Sequence, residues 1–224
     1  MVKDKLNKKE LEHDQLVDSF ANVVEFWRKN QTKILAAVGS VVVLIAALVM
    51  YTNHMVSLNN EANGKLAKVL YYYNGADYTV AIEGRTGEFE GLTEIVNNYG
   101  STEAGQVAKI YLANSLFRIG KFDEAYNMYD EFSGNKKLFI AAAKAGKAAC
   151  LYAQEKFVEA AELYVNAEKV VEANPLNAEY LLKAGKAYLK AGEKVKANEL
   201  FKTIKSDYSG TASFTEADRY LTKN

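Results

Sequence analysis

Three segments of the chain follow one template: Gly120-Lys121-Phe122-Asp123-Glu124-Ala125-Tyr126-Asn127-Met128-Tyr129, Glu155-Lys156-Phe157-Val158-Glu159-Ala160-Ala161-Glu162-Leu163-Tyr164, and Gly192-Glu193-Lys194-Val195-Lys196-Ala197-Asn198-Glu199-Leu200-Phe201. The start-to-start spacing is 35 residues from Gly120 to Glu155 and 37 from Glu155 to Gly192. Spacing in this range marks repeated helix pairs. One such pair cannot bury its apolar face alone, so the pairs must stack. Stacked pairs present long surfaces that hold partners and rarely perform chemistry.

The template predicts a first helix over 102–118 with Ser101 as its N-cap, a left-handed turn at Gly120, and a second helix over 123–132. Asp123 and Glu124 fall in the first turn of that second helix, where the helix dipole favours acids. Ala113, Ala148 and Gly185 share one position of successive first helices, and Ala125, Ala160 and Ala197 share one of successive second helices. Small side chains there let paired helices approach closely. Phe122, Phe157, Tyr129, Tyr164 and Phe201 are assigned to packing between pairs. Two positions break the template: Glu155 stands where a turn glycine is usual, and Lys194 where an aromatic is usual. Upstream, Leu66 to Tyr99 reads as a degenerate repeat, with a long helix ending near Tyr73 and two shorter helices after it. Thr215 to Leu221, with Phe214 and Tyr220, reads as a terminal capping helix.

A second feature sets where the repeats work. Ile34 to Tyr51 carries no charge, and Val41 to Val49 is apolar on every helical face. A buried core helix would show a polar stripe, and a cleaved leader would have a shorter apolar core. The run therefore predicts a transmembrane helix over 34–54. Arg28, Lys29 and Lys33 precede it, while the first basic residues after it are Lys65 and Lys68. That bias predicts a cytoplasmic N-terminus and repeats on the far side of the membrane. Trp27 and Tyr51 suit the two interfaces. Within the span, Gly39 and Ser40, with Ala36, Ala46 and Ala47, are the candidates for close contact with another helix.

The segment before the span is amphipathic. Leu16, Val17, Phe20, Val23, Val24 and Trp27 recur at helical spacing, with Asp14, Asp18, Glu25 and Arg28 around them. This face suits either membrane lipid or a membrane partner. The chain thus divides into a cytoplasmic amphipathic segment (1-33), the span (34-54), a degenerate repeat region (55-101) and the regular repeats with their cap (102-224).

Charge and reactive residues exclude several function classes. Lys plus Arg equals Asp plus Glu, 28 each, so no basic face invites nucleic acid. Cys150 is the only cysteine, in an apolar helical context that assigns it to the core. His13 lies before the span and His54 at its far end, so no metal or nucleophile cluster is available. Gly84-Arg85-Thr86-Gly87 is glycine-rich, but no Gly-Lys-Ser/Thr follows, and it reads as a turn. No catalytic, cofactor or metal site is expected. Counting along the template instead places Val107, Asn114, Phe117, Arg118, Tyr152, Lys186 and Lys190 on one concave side. That side, or the Tyr71–Tyr73 region, is the candidate partner surface.

Residues 102 to 208 resemble the tetratricopeptide repeat. The order of parts, together with Glu88 to Tyr99 leading into Thr102-Glu103-Ala104-Gly105, Tyr180 to Gly185, Phe201 to Tyr208, Asp14-Gln15-Leu16 and Phe26 to Asn30, is similar to the Bacteroidetes-type form of the YfgM-like family of bacterial inner-membrane proteins. The resemblance implies an all-α fold: one N-terminal transmembrane helix followed by a tetratricopeptide-repeat α-solenoid. It implies the role of an accessory subunit of the Sec translocon, with two partners, the SecYEG channel and a PpiD-like membrane-anchored periplasmic chaperone. Some tetratricopeptide domains clamp a chain-terminal carboxylate. Here Asn114 and Lys183 match that clamp while Ile110, Gly146 and Glu179 do not, so most of it is missing. A tethered scaffold of another cell-envelope or secretion complex is the other function class these residues allow.

Overall fold

The structure is a computed structural model describing residues 2–221, with side chains described from residue 17 onward. It comprises α1 (Val2–Asn74), α2 (Tyr78–Glu83), β1 (Gly84–Arg85), β2 (Phe89–Glu90), α3 (Leu92–Tyr99), α4 (Glu103–Arg118), α5 (Phe122–Asp130), α6 (Lys137–Ala153), α7 (Phe157–Glu168), α8 (Asn177–Lys190), α9 (Lys194–Asp207) and α10 (Ala212–Leu221). The chain divides into two compact units, 1–54 and 55–224.

The first unit is helical throughout its described length. It holds one helix long and apolar enough to cross a membrane, and 0% of its most apolar window is buried. A core helix of a water-soluble protein would be mostly covered, so burial decides against that alternative. Two polar side chains in its apolar stretch and just beyond it return to their own backbone. The Ser40 hydroxyl donates to the Ala36 carbonyl at 2.8 Å, and that of Thr52 to Val49 at 3.0 Å. Such bonds spare a polar group in hydrocarbon the cost of having no partner.

The second unit starts with residues 55–74 of α1, which are part of its core. Ala62, Leu66 and Val69 are buried with Ala81, Leu92 and Ile95. Three polar contacts fasten the same segment. The Asn59 side chain accepts from the Ala104 backbone N–H at 2.8 Å, at the N-terminus of α4. Tyr99 donates to Glu61 at 2.6 Å, and Lys65 pairs with Glu90 of β2. The degenerate region proves to hold a β-hairpin where only helices were expected. Gly84 pairs with Glu90 and Arg85 with Phe89, antiparallel.

One turn is built four times. α4 ends at Gly120 (φ 83), α6 at Glu155 (φ 62), α8 at Gly192 (φ 80) and α1 at Ala76 (φ 60). In each, the next residue donates five back: Lys121 to Leu116, Lys156 to Leu151, Glu193 to Tyr188 at 2.9 Å, and Asp77 to Tyr72 at 3.0 Å. This is the Schellman closure, which satisfies carbonyls left open at a helix C-terminus. The start of the next helix then has nearly constant backbone angles, from φ −86, ψ 68 at Asp77 to φ −82, ψ 60 at Glu193. The copy at Ala76 makes the end of α1 the first helix of the first pair. At the start of α4 the cap is Thr102, not Ser101. Thr102 accepts from the Gly105 N–H at 3.0 Å and donates to the Tyr99 carbonyl at 2.8 Å. It is buried and can serve both ends of the tight α3–α4 corner, which exposed Ser101 cannot.

Side chains at the shared small positions are buried: Ala113, Ala148 and Gly185, and Ala125, Ala160 and Ala197. Val69 and Ala81 are their counterparts around Ala76, and both are fully buried. α6 sits between two cores. Ala143 and Cys150 belong to one, Ala141, Ala145 and Ala148 to the other. A helix buried on two sides needs small residues on both, which explains its run of alanines. α10 closes the far end. Tyr220 stacks on Phe201 at 5.0 Å, and Lys205 pairs with Asp218 at 3.1 Å.

Candidate interaction groove

A groove of about 570 Å³ is lined by α4, α6 and α8, with single residues from α1, α5 and α7. The repeated turn positions its rings. Tyr73, Phe117 and Tyr152 each lie three residues before the left-handed residue of their turn, and all three line the groove. Each is braced by the aromatic five residues on: Tyr73 by Tyr78 at 5.6 Å, Phe117 by Phe122 and Tyr152 by Phe157, both at 5.2 Å. In the last pair the same two places hold Leu189 and Lys194, and the brace is lost.

Opposite these rings, α6 offers Ala142, Ala145, Gly146 and Ala149, a low floor on which another chain can come close. Gly146 is required there for an internal reason. A Cβ on it would lie 2.2 Å from the Tyr129 ring. Tyr129 thus lies across α6 and donates to the Asn114 Oδ1 at 2.5 Å. Asn114 in turn interacts with the Tyr73 hydroxyl. Burial pushes the phenols of Tyr73 and Tyr129 upward, and the Arg118 charge pulls both back. Both are therefore neutral donors at physiological pH. Further along, Lys183 pairs with Glu179 at 2.7 Å.

Of the residues placed on the concave side by counting, Asn114, Phe117, Arg118 and Tyr152 line this groove together. Lys186 borders a smaller adjoining pocket with Tyr152, Tyr164 and Lys183, and it pairs with Glu216 of α10 at 2.8 Å. Val107 lies elsewhere, in a cleft with Phe132 and Phe139. There the α3–α4 corner and the α5–α6 connection converge and close off the first turns of α4. Lys190 is exposed at the end of α8, past the groove's last lining residue on that helix. The helix that follows α8 in the series of first helices is α10, and it packs on α8 and α9 as a cap. The three adjacent tyrosines separate. Tyr71 is 78% exposed, Tyr72 stacks on Phe89 at 4.7 Å with Arg85 at 4.8 Å, and only Tyr73 enters the groove.

Tyr129, Tyr164, Tyr180 and Leu176 also line the groove and were absent from the sequence-derived set. The repeat assigns Tyr129 and Tyr164 to packing, which is correct for their rings but misses their edges. In the first unit, Phe20 and Trp27 are exposed and Val24 half-buried, while space beside Gly39 is open. The side chain of Leu16 lies outside the described residues. Among the described residues no group of His, Cys, Asp or Glu is placed to hold a metal ion. Burial pushes the Cys150 thiol up to about 12, with Asp123 adding to the shift. No family model, curated protein or solved structure matches the chain.

Proposed function

We propose that this chain is a membrane-anchored tetratricopeptide scaffold of the YfgM-like type, an accessory subunit of the SecYEG channel that pairs with a PpiD-like periplasmic chaperone to assist secreted proteins. Its N-terminus is cytoplasmic and its repeats are periplasmic, in keeping with Arg28, Lys29 and Lys33 before the span. The observation that carries the repeat assignment is the turn built four times with one backbone geometry. The aromatic rings over a low alanine floor support a holding role. The translocon role rests on the resemblance in the order of parts.

Several weak sites on one partner complex raise apparent affinity through effective concentration. The span, the amphipathic segment before it and the groove supply three. Full-length protein in mild detergent is therefore expected to co-purify with the channel and the chaperone, identified by mass spectrometry. The part from Ser57 onward keeps the chaperone and holds the channel poorly. Absence of both from the full-length sample would favour a scaffold of another envelope or secretion complex.

A further inference from the structure

One end of the groove carries an unbalanced charge. Arg118 sits there, and among the described residues no carboxylate forms an ion pair with it. The one carboxylate lining the groove, Glu179, is engaged by Lys183 at 2.7 Å. Beside Arg118 the hydrogen-bond directions are fixed. Tyr129, 4% exposed, spends its proton on the Asn114 Oδ1. The Asn114 oxygen is thereby engaged, and Tyr73 lies beside the same amide on the groove wall. The Tyr73 hydroxyl, which lines the groove, has a proton it can give. This end of the groove therefore presents one unpaired cation, the Arg118 guanidinium, together with the Tyr73 hydroxyl as a group able to donate. The remainder offers rings over an alanine floor.

We propose that the groove receives an internal acidic side chain of a partner protein, bound by Arg118 and Tyr73, within a segment whose neighbouring residues are bulky and apolar. A single uncompensated cation matches a single carboxylate. The low floor of α6 admits the segment's backbone, and Phe117 and Tyr152 hold its apolar side chains. Tyr73 comes from α1, so the helix that also carries the apolar span supplies part of the recognition. This inference rests on the groove being the partner surface of the scaffold proposed above.

The test uses the full-length chain in detergent. The probe is a library of short random peptides displayed with both ends blocked, so that no free terminal carboxylate is present. Selected sequences are expected to carry one Asp or Glu at a fixed position amid apolar residues. A synthetic peptide from the selection is then compared with its Gln or Asn isostere. Loss of the carboxylate, or Arg118→Gln, lowers affinity by about tenfold or more, as a charge-assisted hydrogen bond implies. Tyr73→Phe lowers it less and leaves the ring brace with Tyr78 intact. Arg118→Glu reverses the preference toward a Lys-containing peptide. Equal binding of acid and amide, an unchanged selection on Arg118→Gln, or no selected sequence at all overturns the proposal. Binding that appears only when a free C-terminus is restored overturns it in favour of a chain-end site. These results are independent of co-purification with the channel and chaperone, so the two proposals fail separately.

Discussion

At the residue scale, the four turns show how far one position can drift in sequence while its backbone stays fixed. Glycine holds it twice, glutamate once and alanine once, all at φ between 60 and 83. For a side-chain-bearing residue the left-handed conformation costs about 1–2 kcal/mol. Glu155→Gly should therefore raise stability by roughly 0.5–1 kcal/mol, less than the strain relieved because glycine also loosens the unfolded chain. Gly120→Ala should lower stability by about 1 kcal/mol, and urea midpoints of the two variants should move in opposite directions. Cys150 gives a second expectation at this scale. With its pKa pushed up to about 12 and its side chain fully buried, almost no thiolate is accessible at pH 8. A thiol reagent should leave the native protein unmodified and react once after denaturation. The regular turns were legible because Gly120 and Gly192 announce them. The copy at Ala76 was not, since alanine carries no such signal.

At the element scale, α6 organises the unit, with Tyr129 of α5 and Tyr164 of α7 buried against it. Burial holds both phenols protonated in the folded state at pH values where the unfolded chain, near 10, has lost those protons. The stabilisation is complete below pH 10 and declines as pH rises above it, because the folded state then binds more protons than the unfolded one. Each such tyrosine contributes a slope of up to about 1.4 kcal/mol per pH unit. Urea midpoints should hold between pH 8 and 9.5 and fall between pH 10 and 11. The Tyr129→Phe, Tyr164→Phe double variant should show a flatter fall. Helix pairs 102–118 with 123–132, and their successors, were readable from the period of small and aromatic residues. The hairpin was not: two residues per strand are too few for an alternation of apolar and polar positions to register. Val107 was misplaced because counting along a helix locates a face but not the loops that later cover it.

At the scale of the whole molecule, the boundary at 54/55 matters most, because residues 55–74 complete the core of the second unit. A chain beginning at Ser57 is expected to fold, giving a cooperative melt and native helical content. One beginning at Gly75 loses Leu66 and Val69, the Asn59 cap and Tyr73, and should be unfolded or aggregated by the same measurements. Topology is checked separately. A cysteine at exposed Asn60 should label with a membrane-impermeant reagent in cells stripped of their outer barrier, whereas one at Asn7 should not. Buried Cys150 adds no background to that experiment. The long apolar helix could be read directly, since a run as long and as uniformly hydrophobic as 34–51 has the length and composition that crossing a membrane requires. That α1 continues past it as the first helix of a pair could not, because the change from exposed apolar residues to core-facing ones leaves the helical period unchanged.

That continuity governs how the protein can be cut loose. Proteolysis just before Ser57 is expected to leave a C-terminal fragment that stays folded with its groove whole. A cut only a few turns later, between Leu66 and Asn74, removes the helix on which the first pair is built. The released fragment then exposes Leu92, Ile95 and their neighbours and becomes a substrate for further digestion. The position of a single nick thus separates a fragment that keeps its fold from one that loses it.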